Sequence, residues 1–169
     1  VMRAARLSVA QAWRVLDQVP DPEVPAVSLC DLGIVRKVAR VGEDLEVTLT
    51  PTYSGCPATE AIAASVRQAL GQAGEERVVL RTQLSPAWSS DWISADGREK
   101  LRRYGIAPPA CARAAEDDWQ PLRFQTALPA CPQCGSVRSR RLSQFGSTAC
   151  KALYRCEACL EPFEYFKPI

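Results

Sequence analysis

Five of the eight cysteines in this chain stand where sulfur chemistry is possible. Four form two pairs, Cys131-Pro-Gln-Cys134-Gly and Cys156-Glu-Ala-Cys159, with 21 residues between them. That is close to the spacing at which two tight turns gather four thiolates around one zinc ion. Such a set completes a tetrahedron and leaves no open position, so the zinc it implies is structural. Two disulfide or redox pairs, or an iron-sulfur cluster, are the other uses of the same residues. The 39 residues from Cys131 to Ile169 are too few to build a core of their own, so a bound ion would supply much of their folding energy. Cys150, six positions before Cys156, is either a core thiol or an alternative ligand.

The fifth cysteine, Cys56, is placed differently. Pro57 suits the first position of a helix, which makes Cys56 the expected N-cap of the alanine-rich stretch that follows. There, unpaired N–H groups and the helix dipole favour a thiolate. The preceding Thr52-Tyr53-Ser54-Gly55 adds hydroxyl donors and a glycine that permits close approach of a ligand or partner. An inert, packed N-cap cysteine is the competing reading.

What the chain lacks is as restrictive. It contains no histidine, which removes Ser-His-Asp and Cys-His catalysis, Glu-x-x-His di-iron sites and Cys-His zinc fingers, unless another subunit supplies the imidazole. No catalytic residue is therefore assigned; metal or sulfur handling fits Cys56 better than hydrolysis. The 21 Lys and Arg against 19 Asp and Glu leave a formal net charge of +2, no global field for a nucleic-acid backbone. The last 39 residues hold six cations and three anions; a zinc tetrathiolate would bring their net +3 down to +1. Protein docking is thus favoured over nucleic acid, with Phe145, Tyr154, Phe163, Tyr165 and Phe166 as core or contact surface. Eight cysteines, about 5% of the chain, are too few for a disulfide scaffold, and no apolar run approaches the roughly 18 residues of a membrane span. The expectation is a soluble, cytoplasmic protein with no nucleic-acid or membrane partner.

The elements that must position these cysteines follow from periodicity. Ser8 can cap a helix with Val9, Trp13 and Leu16 on its apolar face, stopping before the rigid Asp21-Pro22-Glu23-Val24-Pro25. Ile34 to Val41 and Leu45 to Thr50 alternate as strands around Gly42-Glu43-Asp44, predicting an antiparallel hairpin with Arg or Lys facing Glu46 or Thr48 on its exposed side. A helix from Ala58 to Leu70, a strand from Arg77 to Leu84 broken by Pro86, and a short helix from Asp96 to Tyr104 closed by Gly105 complete the pattern. The expected class is α+β: a small sheet with helices packed on it, followed by a four-cysteine zinc ribbon in which residues between Arg138 and Tyr154 form strands that return the chain. The expected division is residues 1–106, a linker over residues 107–130 with Pro108, Pro109, Pro121, Pro129 and the acidic Glu116-Asp117-Asp118, and the ribbon at residues 131–169.

Three phrases, Asp21-Pro-Glu-Val-Pro25, Asp31-Leu-Gly-Ile-Val35 and Thr50-Pro-Thr-Tyr-Ser-Gly-Cys-Pro57, resemble in that order the signature of the SUF-associated iron-sulfur assembly domain family, over about Leu7 to Ala107. With the ribbon, and with Pro86-Ala-Trp-Ser-Ser-Asp-Trp-Ile-Ser94, Tyr104-Gly-Ile-Ala-Pro-Pro109, Phe145-Gly-Ser-Thr-Ala-Cys-Lys-Ala-Leu-Tyr-Arg-Cys156 and Glu161-Pro-Phe-Glu-Tyr-Phe166, the chain resembles the auxiliary subunits of multicomponent di-iron phenylacetyl-CoA oxygenases. The resemblance implies an accessory component of phenylacetate catabolism, not itself catalytic. It would mature or deliver an iron or iron-sulfur centre to a partner subunit, foremost the iron-sulfur reductase. A non-catalytic structural subunit of the oxygenase is the alternative. Cys56 matches the family's reactive cysteine, and Asp31, Thr52, Ser54 and Gly55 match motif positions around it. Where relatives often carry a further cysteine, this chain has Pro168, and the linker cysteine Cys111 has a counterpart in some relatives.

Overall fold

The first helix, α1 (Val9–Leu16), opens on a reciprocal cap: Ser8 Oγ accepts from the Gln11 amide at 3.2 Å, and Gln11 Oε1 accepts from the Ser8 amide at 2.8 Å. Two otherwise orphaned N–H groups are thereby satisfied. Ala12 and Leu16 are its buried positions, while Val9 and Trp13 of the expected apolar face are half-buried. The computed structural model describes residues 6–53, 55–109 and 128–169; Ser54, Cys111 and the acidic stretch of the expected linker lie outside the described residues. The chain forms two compact units, Val1–Gly97 and Arg98–Ile169.

In the first unit, β1 (Val35–Val41) and β2 (Asp44–Leu49) pair as the expected antiparallel hairpin, with Val38 opposite Val47. The register shifts between Val35 and Lys37, so Val35 and Val38, three positions apart, are both buried. A bulge of this kind breaks strict alternation. Lys37 does oppose Thr48, but Thr48 is buried. Glu46 faces Ala39, and its carboxylate is taken by Arg81 of β3 (Val78–Thr82). The chain reaches β3 through α2 (Thr59–Gln72), and β3 runs parallel to β2, giving the order β1-β2-β3. Parallel neighbours require such a crossover, and here the helix supplies it. β3 is shorter than the expected strand, and Leu84 beyond it is exposed. α1 packs on α2 and β1, and the core holds Leu16, Leu29, Leu45, Val47, Val66 and Leu70.

The ion pair between Arg40 and Glu75 reaches into this unit. The carboxylate of Glu75, just after α2, is buried and pairs with the Arg40 guanidinium from β1. Burial raises the Glu75 pKa, but the hydrogen bond and charge of Arg40 outweigh it and hold the group below the usual carboxylate range. The pair therefore stabilises the fold above the ordinary carboxylate pKa of about 4.5, and that contribution is lost as pH falls through the lowered folded value. Arg40→Ala is expected to cost about 2 kcal/mol, less than for a fully buried pair because Arg40 is itself partly exposed. Urea titration at neutral pH measures it, and the difference from the parent should shrink in acid.

Between β3 and α3 (Ala95–Tyr104) the chain returns to the loop ahead of β1. Trp88 Nε1 donates to the Leu32 carbonyl at 2.9 Å, and the Ser94 amide donates to the Asp31 carbonyl at 2.8 Å. Gly33, at φ +67°, lies so close beneath Trp92 that an added Cβ would stand 2.7 Å from Trp92 Cβ. Both the backbone angle and the contact require glycine there.

The second unit is a four-stranded sheet ordered β4-β7-β6-β5, with β4 (Ile106–Ala107) parallel to β7 (Pro162–Phe166) and the pairs β7/β6 and β6/β5 antiparallel. β5 (Ser139–Ser143) and β6 (Lys151–Cys156) are the returning strands expected between the cysteine pairs. Their core joins Ala107, Cys131, Ala152, Tyr154, Cys156, Phe163 and Tyr165. Tyr154 stacks on Phe163 at 5.9 Å and meets Tyr165 edge-on at 5.6 Å, favoured arrangements for aromatic pairs. Four of the five aromatics singled out from the sequence are thus core; Phe145 is exposed, with the Lys167 ammonium 4.7 Å from its ring centroid. The division into units falls inside α3, ahead of the boundary expected after residue 106. Ile106 and Ala107 pair with β7, so Ala107, assigned to the linker by composition, is ribbon-sheet core.

Candidate functional site

The two cysteine pairs sit on two tight turns, one preceding β5 and one joining β6 to β7. In the first, the Gly135 amide donates to the Cys131 carbonyl at 2.8 Å and Gly135 takes φ +75°, which turns the chain without a Cβ penalty. In the second, the amides of Ala158 and Cys159 approach Cys156 Sγ at 3.3 and 3.5 Å. The four sulfurs lie within 4.8 Å of one another, with Cys131 to Cys159 at 3.7 Å and Cys134 to Cys156 at 3.5 Å. Zinc–sulfur bonds of about 2.3 Å would place tetrahedral ligands about 3.8 Å apart, so the set fits zinc closely.

The electrostatics point the same way. The Cys159 amide, with help from Ala158 and Cys134, lowers the Cys156 thiol to about 6. At Cys159 the Glu161 amide pulls downward, but burial and the sulfurs of Cys134, Cys156 and Cys131 raise the thiol to about 12. Four sulfurs this close cannot all ionise until a cation compensates them. Cys150 is buried against Thr148 Oγ1 at 3.1 Å and is not one of the four clustered sulfurs.

Cys56 occupies the other candidate site, and its local geometry corrects the sequence reading. The N-cap of α2 is Ala58, so Cys56 and Pro57 both precede the helix. The Cys56 carbonyl accepts from the Thr59 amide at 3.3 Å and Thr59 Oγ1 at 2.8 Å, forming a separate turn ahead of α2. Helix-dipole activation argued from an N-cap position therefore does not apply as expected, because two residues intervene. Cys56 is half-buried, Gly55 exposed and Thr52 buried. Asp31 is buried: its carboxylate accepts from the Ser28 amide at 2.9 Å and from Ser94 Oγ at 3.2 Å, while its own amide donates to Ser28 Oγ at 2.9 Å. It braces the loop before β1 against the segment before α3.

Sequence reasoning passes over Ser28 and Ser94, which hold Asp31, and Thr50, whose Oγ1 is buried without a hydrogen-bond partner among the described residues. Thr50 opens the loop that leads to Cys56, and its place in the signature is the available signal. Cys30 offers a direct comparison with Cys56, since both are half-buried. Burial, then the charges of Asp17 and Asp31, push the Cys30 thiol up to about 12, leaving almost no thiolate at neutral pH. Iodoacetamide is expected to label Cys56 well before Cys30 at pH 7, read by peptide mass spectrometry; equal rates would remove the distinction.

Comparison with known proteins decides the family. The chain is 48% identical over 161 residues, 95% of its own length and 93% of the other, to an Escherichia coli (strain K12) protein named as the D component of a 1,2-phenylacetyl-CoA epoxidase. This chain belongs to the PaaD family of phenylacetyl-CoA epoxidase components. Residues 116–167 match the PaaD zinc beta ribbon domain, and residues 10–80 match the iron-sulfur cluster assembly protein family. A shorter protein of Porphyromonas gingivalis (strain ATCC BAA-308 / W83), named an Fe-S protein maturation auxiliary factor, is 35% identical over 91 residues, 52% of this chain and 85% of that one. Among solved structures, a domain of unknown function from Bacillus anthracis, DUF59, superposes with a TM-score of 0.51 at 26% identity, covering 55% of this chain and 90% of its own. The α+β fold and the four-cysteine ribbon expected from the sequence are both present in this PaaD-family chain.

Proposed function

We propose that this protein is an auxiliary component of a phenylacetyl-CoA oxygenase system in phenylacetate catabolism, and that it matures or delivers an iron or iron-sulfur centre to a partner subunit, foremost the iron-sulfur reductase. The observation that carries the reading is the pairing, in one chain of this family, of an iron-sulfur assembly unit presenting the half-buried Cys56 with a closed four-cysteine ribbon. Relatives named for the epoxidase and for Fe-S protein maturation support its two halves. Such a role places the protein in the cytoplasm; among the described residues no helix is long and apolar enough to cross a membrane.

Within this reading the two sites divide the work. Cys131, Cys134, Cys156 and Cys159 would hold zinc, which would cross-link the two turns and supply rigidity. Cys56 loses its proton as its sulfur binds iron of the cargo, then recovers a proton when thiolates of the recipient replace it, a ligand exchange with no net oxidation. Asp31 and its serine partners keep the loop before β1 in place, and Thr52 and Gly55 shape the approach to Cys56; Ser54, assigned with them from the signature, belongs to the same proposal. The exposed apolar residues of the ribbon, Val137, Leu142, Phe145 and Leu160, suit a permanent interface equally well, which keeps the structural-subunit alternative in play. Anaerobic purification with elemental analysis tests the choice. Iron beside zinc, lost on mixing with apo-reductase, is the expected result; zinc alone together with stoichiometric retention in the oxygenase would favour the structural subunit.

A further inference from the structure

The two metal-binding turns share their cysteine spacing, Cys131-Pro-Gln-Cys134-Gly135 and Cys156-Glu-Ala-Cys159-Leu160, and they share a backbone angle at the residue that follows. The residue after the second cysteine has a left-handed backbone in both, with φ +75° at Gly135 and φ +68° at Leu160. Glycine takes this angle freely, whereas a leucine there is strained. Burial does not offset the strain, because Leu160 is 60% exposed. The backbone angle serves the turn, as it does at Gly135, but the apolar side chain is left in solvent, where it is available to a partner.

Leu160 borders a hollow of about 300 Å³ lined also by Arg140, Arg155, Cys156 and Glu157. Arg140 and Arg155 are directly opposed across β5 and β6, a placement that costs stability when like charges meet. Arg155 Nε donates to the Leu160 carbonyl at 3.2 Å, fixing the turn, but neither arginine has a carboxylate partner among the described residues. Arg40, Arg77, Arg81 and Arg102 of the same chain have one, whereas Arg14, Arg36 and Arg67 have none among the described residues. It is the direct opposition of two guanidinium groups without carboxylate partners that sets Arg140 and Arg155 apart. Charges on an edge strand deter unwanted pairing, which would explain Arg140 on β5. It does not explain Arg155 on β6, between β5 and β7. Cys156 Sγ already has the Ala158 and Cys159 amides, so the arginines are not needed as its donors.

We infer that this hollow is a docking surface for an acidic segment carrying an apolar side chain, which sets its carboxylates on Arg140 and Arg155 and its apolar group on Leu160. The inference rests on the delivery reading, in that the segment belongs to the protein receiving the cargo. Guanidinium groups match carboxylates in fork geometry, and Glu157 at the rim disfavours a continuous phosphate backbone.

The test uses the full zinc-loaded chain and short overlapping peptides covering the reductase and oxygenase subunits of the phenylacetyl-CoA system. Bound peptides are expected to combine Asp or Glu with Leu, Ile, Met or Phe. Leu160→Gly removes the strain and Arg140→Glu turns a repulsive cross-strand pair into an attractive one, so both variants should be at least as stable as the parent, with zinc unchanged. Each should nevertheless weaken peptide binding by about tenfold or more. Retained binding in either variant, bound peptides without acidic residues, competition by a thymidine homopolymer, or no bound peptide overturns the inference. Cys56→Ser separates this from the delivery reading: it should bind peptides like the parent. Full reductase maturation by that variant would sink delivery and leave the docking surface standing, whereas lost maturation with no bound peptide would sink the docking surface alone.

Discussion

Cys134→Ser and Cys159→Ser are each expected to release the zinc and unfold the ribbon while leaving the first unit folded. Neither cysteine is fully buried, and serine is nearly isosteric, so packing loss contributes little. The damage comes from opening a site whose four ligands together are worth about 10–16 kcal/mol of coupled folding free energy in small zinc modules. The aromatic cluster around Tyr154 is too small to hold β5, β6 and β7 without that cross-link. Elemental analysis should fall from about one zinc per chain to a small fraction, and near-ultraviolet circular dichroism should lose the tyrosine signal of the ribbon. Amide exchange should speed up over residues 131–169 and stay slow in β1 and β2. Chelation of the parent should reproduce the change. A ribbon that keeps its protection without zinc would reject the metal as its fastening.

Cys56→Ser is expected to do the opposite, leaving fold and zinc intact while abolishing support of phenylacetyl-CoA epoxidation. Cys56 is half-buried, and the contacts that organise its turn are made by its backbone carbonyl, with the Thr59 amide and hydroxyl as donors. The substitution exchanges sulfur for oxygen and leaves that turn in place. Hydroxyl oxygen is a poor ligand for iron at neutral pH, so loss of the thiolate should weaken cargo binding by about tenfold or more, at least the cost of disturbing an outer partner of a metal ligand. Iron content and the rate of cluster appearance in apo-reductase are the direct readings. Supplying separately reconstituted, cluster-loaded reductase should restore turnover with no auxiliary protein present. Turnover that still requires the protein after reconstitution would favour the structural subunit, and undiminished growth on phenylacetate with the variant would remove Cys56 from the mechanism.

Much of the architecture is legible because its causes are local. The Ser8 cap needs only Gln11 three residues on; the β1–β2 hairpin needs alternation around Gly42; the zinc turns need two cysteines three apart. Each can be recognised in a window shorter than one element. The differences have equally definite causes. Pro57 is welcome at a first helical position and so points to Cys56 as the N-cap, yet the Cys56 carbonyl closes a separate turn and α2 begins beyond Ala58. Prolines follow Ala107 and give it the composition of a linker, whereas pairing with β7, more than fifty residues on, makes it core.

Residue types and spacing are enough to establish that this chain contributes no imidazole to any metal it holds, since no histidine is present, and that one short stretch carries four cysteines at the spacing of a single four-thiolate site. Tertiary structure decides which side chains are committed and which are left facing solvent. Asp31 is a buried brace because Ser94, 63 residues away, returns to it; Phe145 is outside while Tyr154, Phe163, Tyr165 and Phe166 are inside. Arg140 and Arg155 confront each other beside a strained Leu160 only once β5 and β6 are in register. Periodicity and spacing report how a segment pairs with itself. Strand register and burial depend on which distant segments share the free energy of one core, and no short window of sequence contains that information.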